Sequence, residues 1–218
     1  MKVIITGATG MVGEGVLQEC LEDPKITEIL IVNRKPSGKS HPKLKEIVHS
    51  DFYDLSPIQD RLKGYDACFF CLGVSSIGLS EEVYHKLTHT LTLGFASVLA
   101  KANPKMSFCY ISGAGTDSTE KGKTMWARVK GKTENDLTCL PFAKVYLFRP
   151  GYMHPTPGLK NTLPAYKYIT WAYPILKTIF PNRVSTLKEL GLAMIAAVSK
   201  GYDKNIIEVS DIHILAEE

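Results

Sequence analysis

The sequence predicts an α/β fold, a doubly wound parallel sheet with helices on both faces. Three observations predict it. Short runs of β-branched and aromatic residues recur along the chain, amphipathic helical stretches separate them, and a glycine-spaced turn joins the first run to the first helix. The chain has 218 residues, 44% hydrophobic and 22% charged, a globular balance that excludes disordered and collagen-like chains. A net charge of +4, from 26 basic and 22 acidic side chains, is too small for a dedicated nucleic-acid binder. Residues 1–7 turn polar too early for a secretory leader, and no apolar run reaches the ~18 residues of a membrane span. The expected setting is a soluble, cytoplasmic protein with no transmembrane segment and no nucleic-acid partner.

Strands are expected over 3–5, 29–32, 46–49, 67–72, 108–111 and 145–148, each apolar enough to be buried on both faces. Val12, Val16, Cys20 and Leu21 mark the inner stripe of the first helix. Val83, Leu87, Leu91, Phe95, Val98 and Leu99 mark a longer helix over 81–102. Trp126, Val129, Lys130, Thr133 and Leu137 share a face of a third. After Arg149-Pro150-Gly151 the composition shifts. Residues 152–182 are rich in proline and aromatics, among them Tyr166, Tyr168, Trp171, Tyr173 and Phe180. The rhythm resumes with a helix over 185–199, capped by Ser185 or Thr186, with Leu187, Leu190, Met194 and Ile195 inward. A last strand is expected over 205–209. The whole chain, 1–218, reads as one domain with a core over 1–151 and a small carboxy-terminal substrate lobe over 152–218. Among five cysteines, Cys68-Phe69-Phe70-Cys71 spells C-x-x-C. On a buried strand, residues i and i+3 point to opposite faces, so these thiols are expected to stay reduced. No metal site is expected.

The turn after the first strand reads Thr6-Gly7-Ala8-Thr9-Gly10-Met11-Val12-Gly13, with G-x-x-G-x-x-G spacing. Glycines there allow a sharp exit from the strand, close approach of a phosphate and tight packing of the helix on the sheet. The helix N-terminus then offers free N–H groups and partial positive charge to a pyrophosphate. This points to a dinucleotide held by Gly7, Thr9, Gly10, Met11, Val12 and Gly13. The second strand ends in Asn33-Arg34-Lys35, where an acid would receive a ribose 2′-hydroxyl and a base a 2′-phosphate. No acid stands at that end, so NADP is favoured over NAD. Asp51 and Phe52, just after the third strand, fall where an adenine would lie; Asp51 equally suits the start of a turn.

These stations, in this order, resemble the short-chain dehydrogenase/reductase superfamily. The match is to its extended or atypical branch of NAD-dependent epimerase/dehydratase-like proteins, near the Tat-interacting-protein-like group. Besides the glycine turn, Asn33-Arg34 and Asp51, the resemblance rests on Cys71-Leu72-Gly73, Ser112, Val129-Lys130-Gly131 and Arg149-Pro150-Gly151. It implies a Rossmann-type fold with Cys71, Leu72, Gly73, Lys130, Arg149, Pro150 and Gly151 at the cofactor. It also implies a catalytic set of Ser, Tyr and Lys. Ser112 and Lys130 match that set, but Trp126 stands where the family has its tyrosine. An indole N–H donates a hydrogen bond and cannot serve as an acid or base near neutral pH. Tyr152 and His154, on the loop leaving the last core strand, are the alternative proton donors, with Tyr84 and His85 near the start of the long helix as further candidates.

Two readings stay open. One is an NADP(H)-dependent oxidoreductase or sugar-nucleotide epimerase-like enzyme with a displaced proton donor and a small-molecule substrate. The other is a non-catalytic NADP(H)-binding sensor that acts through a regulatory protein partner. The protein is expected to be a monomer or homodimer. The apolar aromatic stretch over 163–181, with Lys167 and Lys177, also has the character of a membrane-interface segment.

Overall fold

A computed structural model describes residues 1–161 and 173–217. Seven parallel strands form one sheet in the order β3-β2-β1-β4-β5-β6-β9. They are β1 (Lys2–Thr6), β2 (Glu28–Asn33), β3 (Leu44–Val48), β4 (Ala67–Phe70), β5 (Ser107–Ile111), β6 (Lys144–Phe148) and β9 (Ile206–Ile207). The strand order reverses between β1 and β4, so a crevice opens there at the carboxyl ends of the strands.

Alternation along each strand divides the core into two layers. Val3, Ile5, Ile29, Ile31, Phe69 and Phe148 face one side. They pack on α1 (Met11–Glu22), α6 (Leu187–Lys200) and α7 (Val209–Ala216) through Val16, Leu190 and Ile212. Ile4, Leu30, Cys68, Phe70, Phe108 and Leu147 face the other. They meet α3 (Leu91–Ala102) and α4 (Met125–Thr138) through Phe95, Leu99 and Leu137. Cys68 lies in the second layer while Cys71 packs on the first, and all five cysteines are free thiols.

Several expectations are corrected. β3 was expected to be buried on both faces, yet within it only Ile47 is buried. It is an edge strand, with a neighbour on one side only. The long helix is not uniform. α2 (Glu81–His85) runs through a π-helical turn, Lys86–Thr90, into α3. The wider turn rotates α2 relative to α3, so Val83 is exposed and Tyr84 takes the inward place. The last strand is only two residues long, and Val209 opens α7. That helix was not expected, because its N-cap is Glu208, an uncommon capping residue, which pairs reciprocally with Asp211. By contrast Thr186 caps α6 as its side chain predicts, with Glu189 completing the capping box.

The chain leaves the main sheet after β6. β7 (Tyr152–His154) and β8 (Val184–Thr186) form a separate parallel pair, and α5 (Tyr173–Ile179) lies between them in sequence. Tyr166, Tyr168, Trp171 and most of the expected interface stretch lie outside the described residues. Among the described residues no helix is long and apolar enough to cross a membrane.

Candidate functional site

The glycine turn forms the wall of a cleft of about 840 Å³ between β1, β2 and the segment after β4. Gly7 turns at φ +69°, and the Gly10 N–H donates to its carbonyl oxygen at 2.9 Å. A Cβ on Gly13 would lie 2.2 Å from that same oxygen, so the helix can sit this close only with glycine there. No side chain caps α1, and its first N–H groups remain available to a ligand. Met11 is buried and Val12 packs against the core, and neither lines the cleft. Thr9 lines the cleft beside Gly7.

Beyond the end of β2 the cleft meets Arg34, which is exposed and makes no ion pair among the described residues. Asn33 instead turns inward. Its amide donates to Glu46 at 2.9 Å, and the Ser37 N–H donates to the same carboxylate at 2.8 Å, which fixes the loop that carries Arg34. A narrower cavity of about 290 Å³ adjoins the cleft and shares Arg34 and Phe52 with it. Phe52, Leu72 and Leu91 give it an apolar floor, and Phe52 stacks on Phe95 at 5.7 Å. This slot suits a flat aromatic base. Asp51 lines it while its carboxylate accepts from the Tyr53 N–H at 2.8 Å, so it does begin a turn. Gly73 borders the slot, and burial pushes the Cys71 thiol up.

Several residues lining the cleft were missed, among them Glu14, Lys39 and Asn161. Glu14, in the first turn of α1, lines the same cleft, with its side chain 2% exposed. Lys39 pairs with it at 3.1 Å, and the Asn161 N–H donates to its other oxygen at 2.8 Å. β2 indeed carries no acid at its end, but the cleft does, contributed by the neighbouring helix. These contacts outweigh burial and hold its pKa below the usual glutamate value.

The carboxyl ends of β5 and β6 hold a second assembly. Ser112 donates its hydroxyl proton to Glu134 at 2.5 Å, with the Phe148 carbonyl 3.2 Å away. Arg149 closes on both oxygens of Glu134, through Nε at 3.0 Å and through a terminal nitrogen that also donates to Ser118 at 2.6 Å. Arg149 was expected at the cofactor; its guanidinium is committed to this buried carboxylate. Gly151 also serves packing, since a Cβ there would lie 2.1 Å from the Arg183 carbonyl. The Pro150 carbonyl accepts from the Ala114 N–H at 2.9 Å. Lys130 donates to the Ser112 carbonyl. Burial lowers its pKa to about 8, against the opposing pull of Glu134. Trp126 is half-buried one turn before Lys130, with its ring 3.7 Å from where a Gly115 Cβ would stand. Tyr152 and His154 belong to β7 instead. His154 stacks on Tyr173 at 3.9 Å, and burial lowers its pKa.

The chain is similar to known proteins in sequence and in fold. The NAD dependent epimerase/dehydratase family matches residues 3–124. The protein fmp52, mitochondrial, of Emericella nidulans is 30% identical over 156 residues, covering 69% of this chain and 66% of that protein. HTATIP2 of Rattus norvegicus is 26% identical over 154 residues, covering 70% of this chain and 62% of that protein. The match thus spans a little under two thirds of these relatives' length. Among solved structures, MoeE5 in complex with UDP-glucose and NAD superposes with a TM-score of 0.68 at 14% identity, covering 100% of this chain and 81% of that one. The ADP-L-glycero-D-manno-heptose-6-epimerase of Helicobacter pylori gives 0.67 at 17% identity, covering 100% and 81%. At such identities the structures share the fold. The fmp52 relatives are named as mitochondrial proteins, which overturns the cytoplasmic expectation. A polar start and a globular composition describe a folded domain and carry no address.

Proposed function

Since the chain belongs to the NAD-dependent epimerase/dehydratase family, we propose that it binds NADP(H) in preference to NAD(H), as an atypical member with a displaced proton donor. The observation that carries this is the uncapped start of α1, facing the cleft beside Arg34. Backbone N–H groups of the glycine turn would hold the pyrophosphate, and the apolar slot over Phe52 the adenine. Arg34 would pair with a 2′-phosphate through charge-assisted hydrogen bonds. Bound there, the nicotinamide supplies a hydride donor or acceptor.

Ser112 and Lys130 would border the reacting group. Lys130 is a cation below about pH 8, and so would favour negative charge developing nearby. The Ser112 proton is held by Glu134, so its oxygen is better disposed to accept a hydrogen bond than to give one. Residues 152–218 would shape the substrate side, as the notional substrate lobe.

The second reading is a cofactor-binding sensor with little turnover. Trp126 in the tyrosine's place and the committed Ser112 proton both favour it. Calorimetry with NADPH and NADH tests the cofactor claim. NADPH should bind more tightly, and Arg34→Ala should remove most of that preference. Equal affinities in the wild type, or an unchanged ratio in Arg34→Ala, would overturn it.

A further inference from the structure

Glu14 has no role in the reading above, although it is a buried carboxylate inside the cleft meant for phosphates. Its position is unusual on physical grounds. The first turn of α1 is where the helix presents positive charge, and a carboxylate there offsets part of it. Its negative charge is in turn matched by Lys39, which is anchored in the loop that follows Arg34. Arg34, Lys39 and Glu14 therefore line one edge of the cleft, with Lys39 between the other two in function: it can serve either the carboxylate or an incoming anion.

We propose that Glu14 is a specificity-determining residue, which tempers the preference for a ribose 2′-phosphate by competing for Lys39 and by opposing the phosphate's charge. The inference rests on the dinucleotide reading of the cleft. Its physical basis is charge at close quarters in a site poorly exposed to water. The Glu14 side chain is 2% exposed and that of Lys39 is 28% exposed, so their interaction is screened far less than a surface pair. A 2′-phosphate drawn in by Arg34 would gain Lys39 only by weakening the Lys39–Glu14 pair. A ribose that keeps its 2′-hydroxyl meets no such opposition, and a carboxylate can accept a hydrogen bond from it. Glu14 thus narrows the gap between the two cofactors that Arg34 alone would set. It also ties the backbone at Asn161 to the cleft wall, so any test must separate charge from simple tethering.

Three variants make that separation. Glu14→Gln keeps the shape and an acceptor for Asn161 while removing the charge. Lys39→Met removes the cation while keeping the stem. The third is the double variant. Dissociation constants for NADPH and NADH are measured by titration calorimetry at low salt, alongside Tm.

The ratio of NADPH to NADH affinity should rise about tenfold in Glu14→Gln, and fall by a similar factor in Lys39→Met, which leaves Glu14 bare. In the Lys39→Met background, Glu14→Gln should restore NADPH binding, because it removes the negative charge that Lys39 no longer balances. A tether alone would give no such rescue. An unchanged or lowered ratio in Glu14→Gln, or absence of rescue in the double variant, overturns the proposal. A wild type that prefers NADH but still shows the rise and the rescue defeats the Arg34 reading and leaves this one standing. A folded wild type that binds neither cofactor defeats both.

Discussion

The proposed activity turns first on Trp126. It stands four residues before Lys130 on α4, where the two share a face. An indole there fills space and offers no titrating proton. Trp126→Tyr would set a phenol near the Lys130 ammonium, whose charge favours the phenolate. General acid catalysis is worth about 10²–10⁴-fold when well placed. An unselected phenol should give less, so NADPH oxidation with small carbonyl compounds should rise modestly in Trp126→Tyr and fall back when Lys130→Ala is added. Brisk wild-type turnover that Trp126→Phe leaves intact would point to another donor, with Tyr152 and His154 next to be changed. Residue by residue, legibility followed locality. Arg34 and Ser112 could be singled out because each follows a recognisable strand, and Lys130 because it stands in the Val129-Lys130-Gly131 stretch on which the resemblance rests. Glu134 could not, because Lys130 and Glu134 at i, i+4 read as an ordinary solvated pair on a helix. Only the fold shows that Arg149 and Ser112 converge on that carboxylate from β6 and β5. Glu14 was hidden in the same way, as an acidic residue in a first turn where acids are common.

The turn between β1 and α1 makes two glycines serve different ends. A Cβ on Gly10 would have Gly7 O as its nearest neighbour, at 3.4 Å, so the backbone there tolerates a side chain. A Cβ on Gly13 would lie 2.2 Å from that oxygen, and α1 would have to move. Gly10→Val should therefore keep its Tm and lose cofactor binding, because the new side chain would stand where the proposed reading puts the phosphates. Gly13→Ala should lose both, with a stability loss of about 1–3 kcal/mol from overpacking. Thermal unfolding and calorimetry on the same samples check the pair; a stable Gly13→Ala that binds normally would refute the distinction. Elements were well foreseen where apolar periodicity was strong and their ends were marked by common caps. β1, β2 and α6 are examples. Phasing failed where the backbone changed its own period, as at the π-helical turn Lys86–Thr90, which no side-chain pattern announces.

At the scale of the molecule, the buried charges set how stability responds to pH. Lys130 titrates at about 8 in the folded chain, below the usual 10.5. The unfolded chain thus binds more protons than the folded one between those values, and this lysine makes stability rise with pH across that window. Its penalty is fully present below pH 8 and relieved above it. The difference in Tm between wild type and Lys130→Met should accordingly shift in favour of wild type from pH 8 to pH 10. A difference that stays flat would mean that Lys130 is well solvated. Burial pushes the folded chain's tyrosines and cysteines up, so in the unfolded chain these groups lose protons across the same window, which is why the comparison between the two proteins is the measurement. The sheet itself was legible as a whole, because parallel strands buried on both faces leave a dense apolar rhythm. The route of the chain after Gly151 was not, because prolines and aromatics mark a change of regime without fixing a path. Yet that route begins and ends at one place. Tyr152 pairs with Val184, His154 with Thr186, and Gly151 lies against Arg183. The two ends of the excursion are thus held together at one base, and bringing the ends of a flexible segment together costs only about 0.6 kcal/mol more for each doubling of its length. Such a stem behaves as a socket: segments of different length and chemistry can be exchanged above it while the sheet below keeps its register.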